Sequence, residues 1–312
     1  MSSNPERFNQ ESLDEFQQVP IHRDGRSSLD GFGQPGYPEL RRKPRRRWWK
    51  FWLLVVVLLA FYFFFPIRTN ILILGTDYMP HRGTIGRTDT MILTTITPTR
   101  PYVGMLSIPR DLWVSIPGFA ENRINTAYYY AEADQRGSGP QVAMNTVKAN
   151  FGVRVDYYVV LYMSGVVDMI DALGGIDITL EEPMGGLETG SHHLHGEQAL
   201  AFARERYSAD DISRMAQGQL LIKAMMQKFL DPLTWFRLPG FLVASGKAIQ
   251  TNIPGWLWPR LGLALLRSGP QGIDARLVGR DMVVPFQTAD GAQVLAPDWQ
   301  LINPLLLEMF GK

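Results

Sequence analysis

The run Ile71-Leu72-Ile73-Leu74, closed by Gly75, places no polar side chain on either side of an extended chain. Successive strand residues point to opposite faces, so such a strand needs apolar cover on both. That requirement selects a sheet sandwiched between helical layers, and the rest of the chain agrees. Thr90–Ile96 and Tyr102–Ile108 are β-rich, and Pro98-Thr99-Arg100-Pro101 between them reads as the turn of a hairpin. Pro140–Asn150, Met163–Ala172, Glu197–Arg204 and Arg214–Phe229 read as helices, the second stopped by Gly174-Gly175. In the last of these, Leu221, Ala224, Met225 and Phe229 share a face. Tyr157–Tyr162, Ile176–Leu180, Met282–Pro285 and Gln293–Leu295 read as strands, while Pro232, Pro239 and Pro254 break up the region after residue 230. Alternation of strands and helices predicts one three-layered α-β-α domain over residues 68–312.

A second apolar run precedes this domain. Phe51 to Ile67 carries no charge and is flanked by Trp48, Trp49, Trp52 and Tyr62, aromatic types that favour a membrane interface. Upstream, Arg41 to Lys50 holds Arg41, Arg42, Lys43, Arg45, Arg46, Arg47 and Lys50. The pattern predicts one transmembrane helix over 48–67 with the basic flank in the cytoplasm and residues 68–312 beyond the plasma membrane. A cleaved leader is the rival reading. It would want small residues before a cleavage site, where Tyr62 to Pro66 is bulky. Residues 1–47, polar and rich in Ser, Gly, Gln and Pro, read as a disordered cytoplasmic tail whose basic cluster sets topology and contacts anionic lipid.

The 312-residue chain is 46% apolar with a net charge of +1. Residues 1–50 carry ten basic and seven acidic side chains, so the remainder is neutral to acidic, which argues against a nucleic-acid partner. There is no cysteine, and a domain of this size needs no disulfide.

Arginines and aspartates gather where the apolar runs stop. Gly75-Thr76-Asp77 ends one run, Arg87-Thr88-Asp89-Thr90 opens the next, and Ser107-Ile108-Pro109-Arg110-Asp111 closes the one after. Pairing the hairpin about Thr99 sets Asp89 opposite Pro109-Arg110. If the Ile71–Leu74 strand runs parallel to Val103–Ile108, Asp77 emerges at the same edge, where ligands of open α/β sheets collect. Later come Ala203-Arg204-Glu205-Arg206 and Asp211-Ile212-Ser213-Arg214. Guanidinium forks suit phosphate oxygens, and carboxylates suit a hard divalent cation. The chemistry indicated is that of a phosphate or pyrophosphate with a metal ion.

These segments resemble the LytR-CpsA-Psr (LCP) family of membrane-anchored cell-wall enzymes. Ile73–Asp77, Arg87–Met91, Leu106–Asp111, Arg123–Tyr128, Asp171–Asp177, Leu194–Ala201, Arg204–Arg206 and Asp211–Arg214 carry the resemblance, in order, across about residues 70 to 310. It implies a mixed central sheet flanked by helices, with an apolar pocket for a lipid tail beneath the phosphates. It implies a transferase that moves a glycopolymer, such as teichoic acid, from a polyprenyl-pyrophosphate carrier onto peptidoglycan, releasing polyprenyl phosphate. By resemblance Asp77 and Asp89 would hold Mg²⁺ or Mn²⁺. Arg87, Arg110, Arg123, Arg204, Arg206 and Arg214 would bind the pyrophosphate, with Asp111 near them, and Asp89, Arg110, Arg204 and Arg206 would act in catalysis. The family usually has Arg-Gln or Gln-Gln a turn after Arg214. Here Gln217-Gly218-Gln219 stands there, and Gln219 or Gln217 would take the phosphate contact.

Other readings of single features are plainer. Arg204 and Arg206, two residues apart on a helix, face ~200° apart, so both reach one ligand only where the helix ends. Asp111 is either a helix cap or a partner of Arg110. His192-His193-Leu194-His195 reads as a solvated loop rather than a zinc site. Tyr128-Tyr129-Tyr130 reads as helix packing rather than a sugar platform, and Met225-Met226 as core or lipid-pocket lining. Two other functions use the same residues: a phosphatase on polyprenyl pyrophosphates with water as acceptor, and a non-catalytic polyprenyl-phosphate-binding regulator of the wall.

Overall fold

The computed structural model describes residues 48–76, 86–98, 102–205 and 211–311. Residues 52–312 form one compact unit. At its centre lies β1 (Thr69–Thr76), whose alternate side chains enter two different cores. Leu72 and Leu74 are fully buried on one face. They pack with α2 (Thr126–Asp134), α3 (Gly139–Phe151) and α9 (Trp299–Phe310). Ile71 joins the opposite core with α8 (Trp258–Ser268), against which the C-terminal part of α6 (Asp211–Leu230) also packs. Burying a leucine side chain in this way contributes about 1.5–3 kcal/mol. The three-layer arrangement follows.

The sheet is mixed. β2 (Thr88–Thr97) pairs antiparallel with β1, and β3 (Tyr102–Ser107) antiparallel with β2. β6 (Tyr157–Tyr162) runs parallel to β1, and β10 (Ile273–Leu277) parallel to β3. With β9 (Ile249–Thr251) on the far side, the order is β10-β3-β2-β1-β6-β9. β1 and β3 thus run the same way with β2 between them. Among the described residues, three short ladders lie outside this sheet: β4 (Trp113–Val114) with β5 (Asn122–Arg123), β7 (Ile176–Leu180) with β8 (Gly190–Leu194), and β11 (Val283–Gln287) with β12 (Gln293–Pro297). The C-terminal strands anticipated from sequence therefore form a separate hairpin, followed by α9 rather than by more strand.

A third cluster joins α4 (Met163–Leu173), the hairpin of β7 (Ile176–Leu180) with β8 (Gly190–Leu194), α5 (Gly196–Arg204), the inner stripe of α6 and α7 (Leu238–Ala248). Gly174 ends α4 at φ 82°, a left-handed conformation that glycine adopts without strain. The same glycine admits Arg237: a Cβ there would lie 1.0 Å from Nη1 of that guanidinium, which donates to the Leu173 carbonyl at 3.0 Å.

One expectation needs correction. The prolines expected to break up the region after residue 230 stand at helix starts instead. Pro232 begins a 3-10 turn over Pro232–Arg237, Pro239 sits in the first turn of α7, and Pro254 immediately precedes a 3-10 turn over Gly255–Leu257, positions where a missing N–H costs little. The expected span at 48–67 takes the form of α1 (Trp48–Phe64), 17 residues long. Among the described residues, no helix is long and apolar enough to cross a membrane. Length is what falls short, because Pro66 disfavours helical geometry at Phe65. The tail and most of its basic cluster, residues 1–47, lie outside the described residues.

Candidate active site

The site lies where β1, β3 and β6 end and β2 begins. Ile92 pairs with Ser107, and Ile108 N–H donates to the Met91 carbonyl at 2.9 Å. Continuing that register sets Asp89 beside Arg110, and their Oδ1 and Nη1 are 2.7 Å apart. The loop bearing Arg110 is bolted from behind: Asn125 N–H donates to the Arg110 carbonyl at 3.3 Å, and Ile124 N–H to that of Leu112 at 2.8 Å. Asp111 is a partner, not a helix cap. Its two oxygens lie 3.4 Å from Arg110 Nε and 3.0 Å from Arg123 Nε. An alternating chain of ion pairs, Asp89–Arg110–Asp111–Arg123, results.

Asp89 and Arg110 stand at the mouth of a cavity of about 220 Å³ whose wall also takes in Arg204 and Arg214. Two helices deliver those arginines. α5 ends at Arg204, and Glu205 is already extended at φ −62° and ψ 132°. The start of α5 is fixed by a capping box between His195 and Gln198, and by Asp171 Oδ1, which accepts from Gly196 N–H at 2.8 Å. Those residues belong to the motifs that carried the family resemblance, and their work here is to aim Arg204. α6 supplies Arg214, then Met215, Gly218, Leu221, Ile222 and Met225 down one stripe of the wall. This is the i, i+1, i+4, i+7, i+8, i+11 spacing of one helix face. Leu161, Met163, Val166 and Leu200 complete an apolar bore.

Close packing at the charged end depends on two glycines. A Cβ on Gly75 would lie 2.5 Å from Met163 Cε and 3.0 Å from Thr90 Cβ, and one on Gly218 would lie 3.3 Å from Thr90 Oγ1. Gly218, the departure from the family pattern, therefore lies on the cavity wall against Thr90.

Not every expected residue joins the cavity. Gln219 does not: its buried amide donates to the carbonyls of Met105, at 3.1 Å, and Arg276, at 2.7 Å, and so ties α6 to β3 and β10. Gln217 is buried on the flank of the stripe. Both sit one residue away from the face that Gly218 occupies, which is why neither replaces a glutamine there. Arg123 forms an ion pair with Asp111, and its Nη2 donates to the Gln293 carbonyl at 2.8 Å. It positions Asp111 and does not line the cavity. The Arg87 guanidinium lies 5.8 Å from the centre of the Tyr129 ring, on α2. Asp77 and Arg206 lie outside the described residues.

The histidine run forms β8 and the α5 cap rather than a loop. His193 Nδ1 contacts Asp177 Oδ1 at 2.6 Å. Among the described residues no group of three His, Cys, Asp or Glu side chains could hold a metal ion. The carboxylate at the cavity mouth does suit a hard cation of the Mg²⁺ kind, which needs only one or two protein carboxylates when substrate phosphates and water complete its shell. Sequence reasoning missed the part of the bore built from β6 and α4. From sequence, Met163 and Val166 read simply as part of the helix Met163–Ala172. Of the methionine pair, Met225 lines the cavity and Met226 packs in the core beside α8.

Comparison with known proteins gives consistent matches. The profile of the LytR_cpsA_psr family matches residues 67–296. The chain is 35% identical over 190 residues to the polyisoprenyl-teichoic acid–peptidoglycan teichoic acid transferase TagU of Oceanobacillus iheyensis, a match covering 59% of this chain and 58% of that protein. It is 29% identical over 195 residues to the regulatory protein MsrR of Staphylococcus aureus, covering 60% of this chain and 57% of that one. The chain thus spans under two thirds of the length of these curated relatives. Among solved structures, TagV of B. subtilis superposes with a TM-score of 0.63 at 24% identity, over 78% of this chain and 97% of that one, which establishes a shared fold.

Proposed function

This chain belongs to the LytR-CpsA-Psr family, and from that premise we propose that it transfers a glycopolymer from a polyprenyl-pyrophosphate carrier onto peptidoglycan. One observation carries the reading: a single cavity joins a mouth of Asp89, Arg110, Arg204 and Arg214 to a bore lined by Met163, Leu221 and Met225. An anionic head with a long aliphatic tail is the ligand class complementary to both ends. The curated relative TagU, named as a teichoic acid transferase, supports the reaction class.

In the proposed reaction, a hydroxyl oxygen of the acceptor sugar attacks the phosphorus that bears the glycopolymer. A phosphodiester forms, the bond from that phosphorus to the bridging oxygen breaks, and polyprenyl phosphate leaves with the electron pair. Arg110, Arg204 and Arg214 clamp the phosphate oxygens and offset the charge that gathers on the bridging oxygen. Asp111 and Arg123 hold the Arg110 fork at a fixed angle, so its donors need no reorganisation as charge shifts. Asp89 orients the acceptor hydroxyl, whose proton passes to solvent. Arg206 would add a further phosphate contact. Asp77 and Asp89 would hold Mg²⁺ or Mn²⁺, which supplies charge neutralisation on the pyrophosphate. The apolar bore takes the prenyl chain and keeps water from the carrier side. A membrane anchor at α1, with residues 68–312 beyond the plasma membrane, belongs to the same proposal.

The test is a full-chain assay in vesicles with a synthetic polyprenyl-pyrophosphate-linked saccharide, a peptidoglycan oligomer and Mg²⁺, followed by mass spectrometry. A phosphodiester-linked conjugate that disappears with EDTA and in Asp89→Ala is the expected result. Free polyprenyl phosphate without conjugate would assign a phosphatase. Unchanged substrate on protein that retains prenyl phosphate would assign a binding role.

A further inference from the structure

Beyond the last turn of α6, the chain displays large apolar side chains to solvent. Leu233 is 78% exposed, Phe236 75% and Trp256 61%. These are ordered segments. Asp231 Oδ1 accepts from Leu233 N–H at 3.0 Å, Thr234 Oγ1 donates to the Lys228 carbonyl at 2.7 Å, and Trp235 Nε1 donates to the Phe229 carbonyl at 3.1 Å. A turn held this firmly, with its polar groups paired inward and its apolar groups outward, is built for contact.

The two exposed segments border one another through α6. Phe229 meets Phe241 of α7 with ring centres 4.6 Å apart, and the next residue, Leu230, packs into the cluster that contains Leu257 and Leu261. The surface then continues onto α1. The Tyr62 hydroxyl donates to the Trp256 carbonyl, and the two rings lie 6.4 Å apart. The guanidinium of Arg267 sits 5.0 Å from the centre of the Phe64 ring. Along α1 itself the apolar side chains are exposed all round, from Leu53 to Leu59. A helix apolar on every side belongs in lipid or in a large core. Trp, Tyr and Arg side chains at its end are the types that settle at a lipid headgroup boundary.

We propose that Leu233, Trp235, Phe236, Trp256 and Trp258 form a rim that rests in the interfacial layer of a lipid bilayer, at the foot of α1. The occupant of this surface is the bilayer, because its Trp256 side touches Tyr62 of a helix that exposes only apolar side chains from Leu53 to Leu59. α6 links the rim to the catalytic mouth: Arg214 stands near its start and Leu230 ends it, about 24 Å away at 1.5 Å per residue. A prenyl chain entering the bore beside Arg214 would follow α6 down to the rim and rejoin the membrane there. That last consequence rests on the transferase reading; contact of the rim with lipid does not.

The chain has no cysteine, so single cysteines can be introduced without background. Full-chain Phe236→Cys and Trp256→Cys would carry an environment-sensitive fluorophore, with Val284→Cys on β11 as the distant exposed control and Val57→Cys as the α1 reference. Each would be reconstituted in phosphatidylethanolamine and phosphatidylglycerol vesicles containing nitroxide lipids. Shallow nitroxides should remove fluorescence at 236 and 256, deep ones at 57, and neither at 284. Loss at 57 with no more quenching at 236 and 256 than at 284 overturns the rim and leaves the anchor standing. Loss at 236 and 256 that grows with protein density in nitroxide-free vesicles overturns it in favour of contact between two copies. Conjugate formation, measured separately on the unlabelled chain, reports on the transferase reading alone.

Discussion

Asp89 and Arg110 are 21 residues apart in sequence, and their carboxylate and guanidinium meet at 2.7 Å because the β2–β3 hairpin brings its two outer ends to one edge of the sheet. The Asp89 side chain is 48% exposed, so water screens the pair. Exposed pairs contribute about 0–1 kcal/mol to folding. Asp89→Asn should therefore leave the unfolding midpoint almost unchanged while transfer falls by roughly 10²–10³-fold, the usual loss when one preorganised electrostatic contact to a reacting centre is removed. Thermal unfolding and conjugate yield, measured on the same preparation, check this. A large drop in stability would assign Asp89 a structural role instead.

Gln219 should behave the opposite way. Its amide donates to two carbonyls of the β3–β10 ladder, and Gln219→Leu removes both of these bonds. Each lost hydrogen bond costs about 0.5–1.5 kcal/mol. The variant should unfold at lower urea concentration yet keep the donor KM of the wild-type chain. A raised donor KM at unchanged stability would restore the phosphate role inferred from sequence.

Gly174→Ala combines two penalties. The left-handed conformation costs a side chain about 1–3 kcal/mol. The new methyl would also displace Arg237 from the Leu173 carbonyl. We expect a lower urea midpoint for Gly174→Ala and partial recovery for Gly174→Ala combined with Arg237→Ala, since the second change removes the collision and leaves only the backbone strain. Equal midpoints for the single and double variants would show that Arg237 has another way out.

Acid sensitivity should trace in part to Asp177. Hydrogen bonds from Lys228, then from His193, hold its carboxyl below the usual carboxylate range. A group with a lowered folded-state pKa stabilises the fold above its unfolded value, and that contribution is lost as pH falls through the folded value. The β7–β8 hairpin and α6 are thus joined more weakly below about pH 4, where the unfolded carboxyl takes up its proton. Urea midpoints at pH 7 and pH 3 should differ less in Asp177→Asn than in wild type. A steeper acid loss in the variant would contradict the assignment.

Much of the central architecture was legible because it depends on short-range patterns. An unbroken apolar run specifies β1, β-rich runs around a proline turn specify β2 and β3, and Gly174-Gly175 marks the end of α4. The hairpin register, and with it the nearness of Asp89 to Arg110, follows from counting outward from Thr99. What stayed hidden depends on contacts distant in sequence. Gln219 looks like a phosphate ligand until α6 is docked on β3 and β10. Whether Met225 or Met226 faces the cavity is a matter of 100° around α6, which the packing of α8 decides. The prolines at 232, 239 and 254 read as breakers because their positions at the starts of helical turns are visible only once those turns exist.

β1 has one more consequence. The linker that feeds it is clamped, since Arg260 donates to the carbonyls of Phe65 and Ile67, and the strand then runs from Thr69 to Thr76 without interruption. At about 3.3 Å per residue it acts as a stiff strut of roughly 23 Å. Both of its ends are fixed, one in the clamp and the other beside Thr90 and Met163. The altitude of the reacting groups above the foot of α1 is therefore set by the length of one strand. On the proposed transferase reading, a carrier of any prenyl length would have to lift its phosphates by the same amount, and transfer would be indifferent to how much chain remains below.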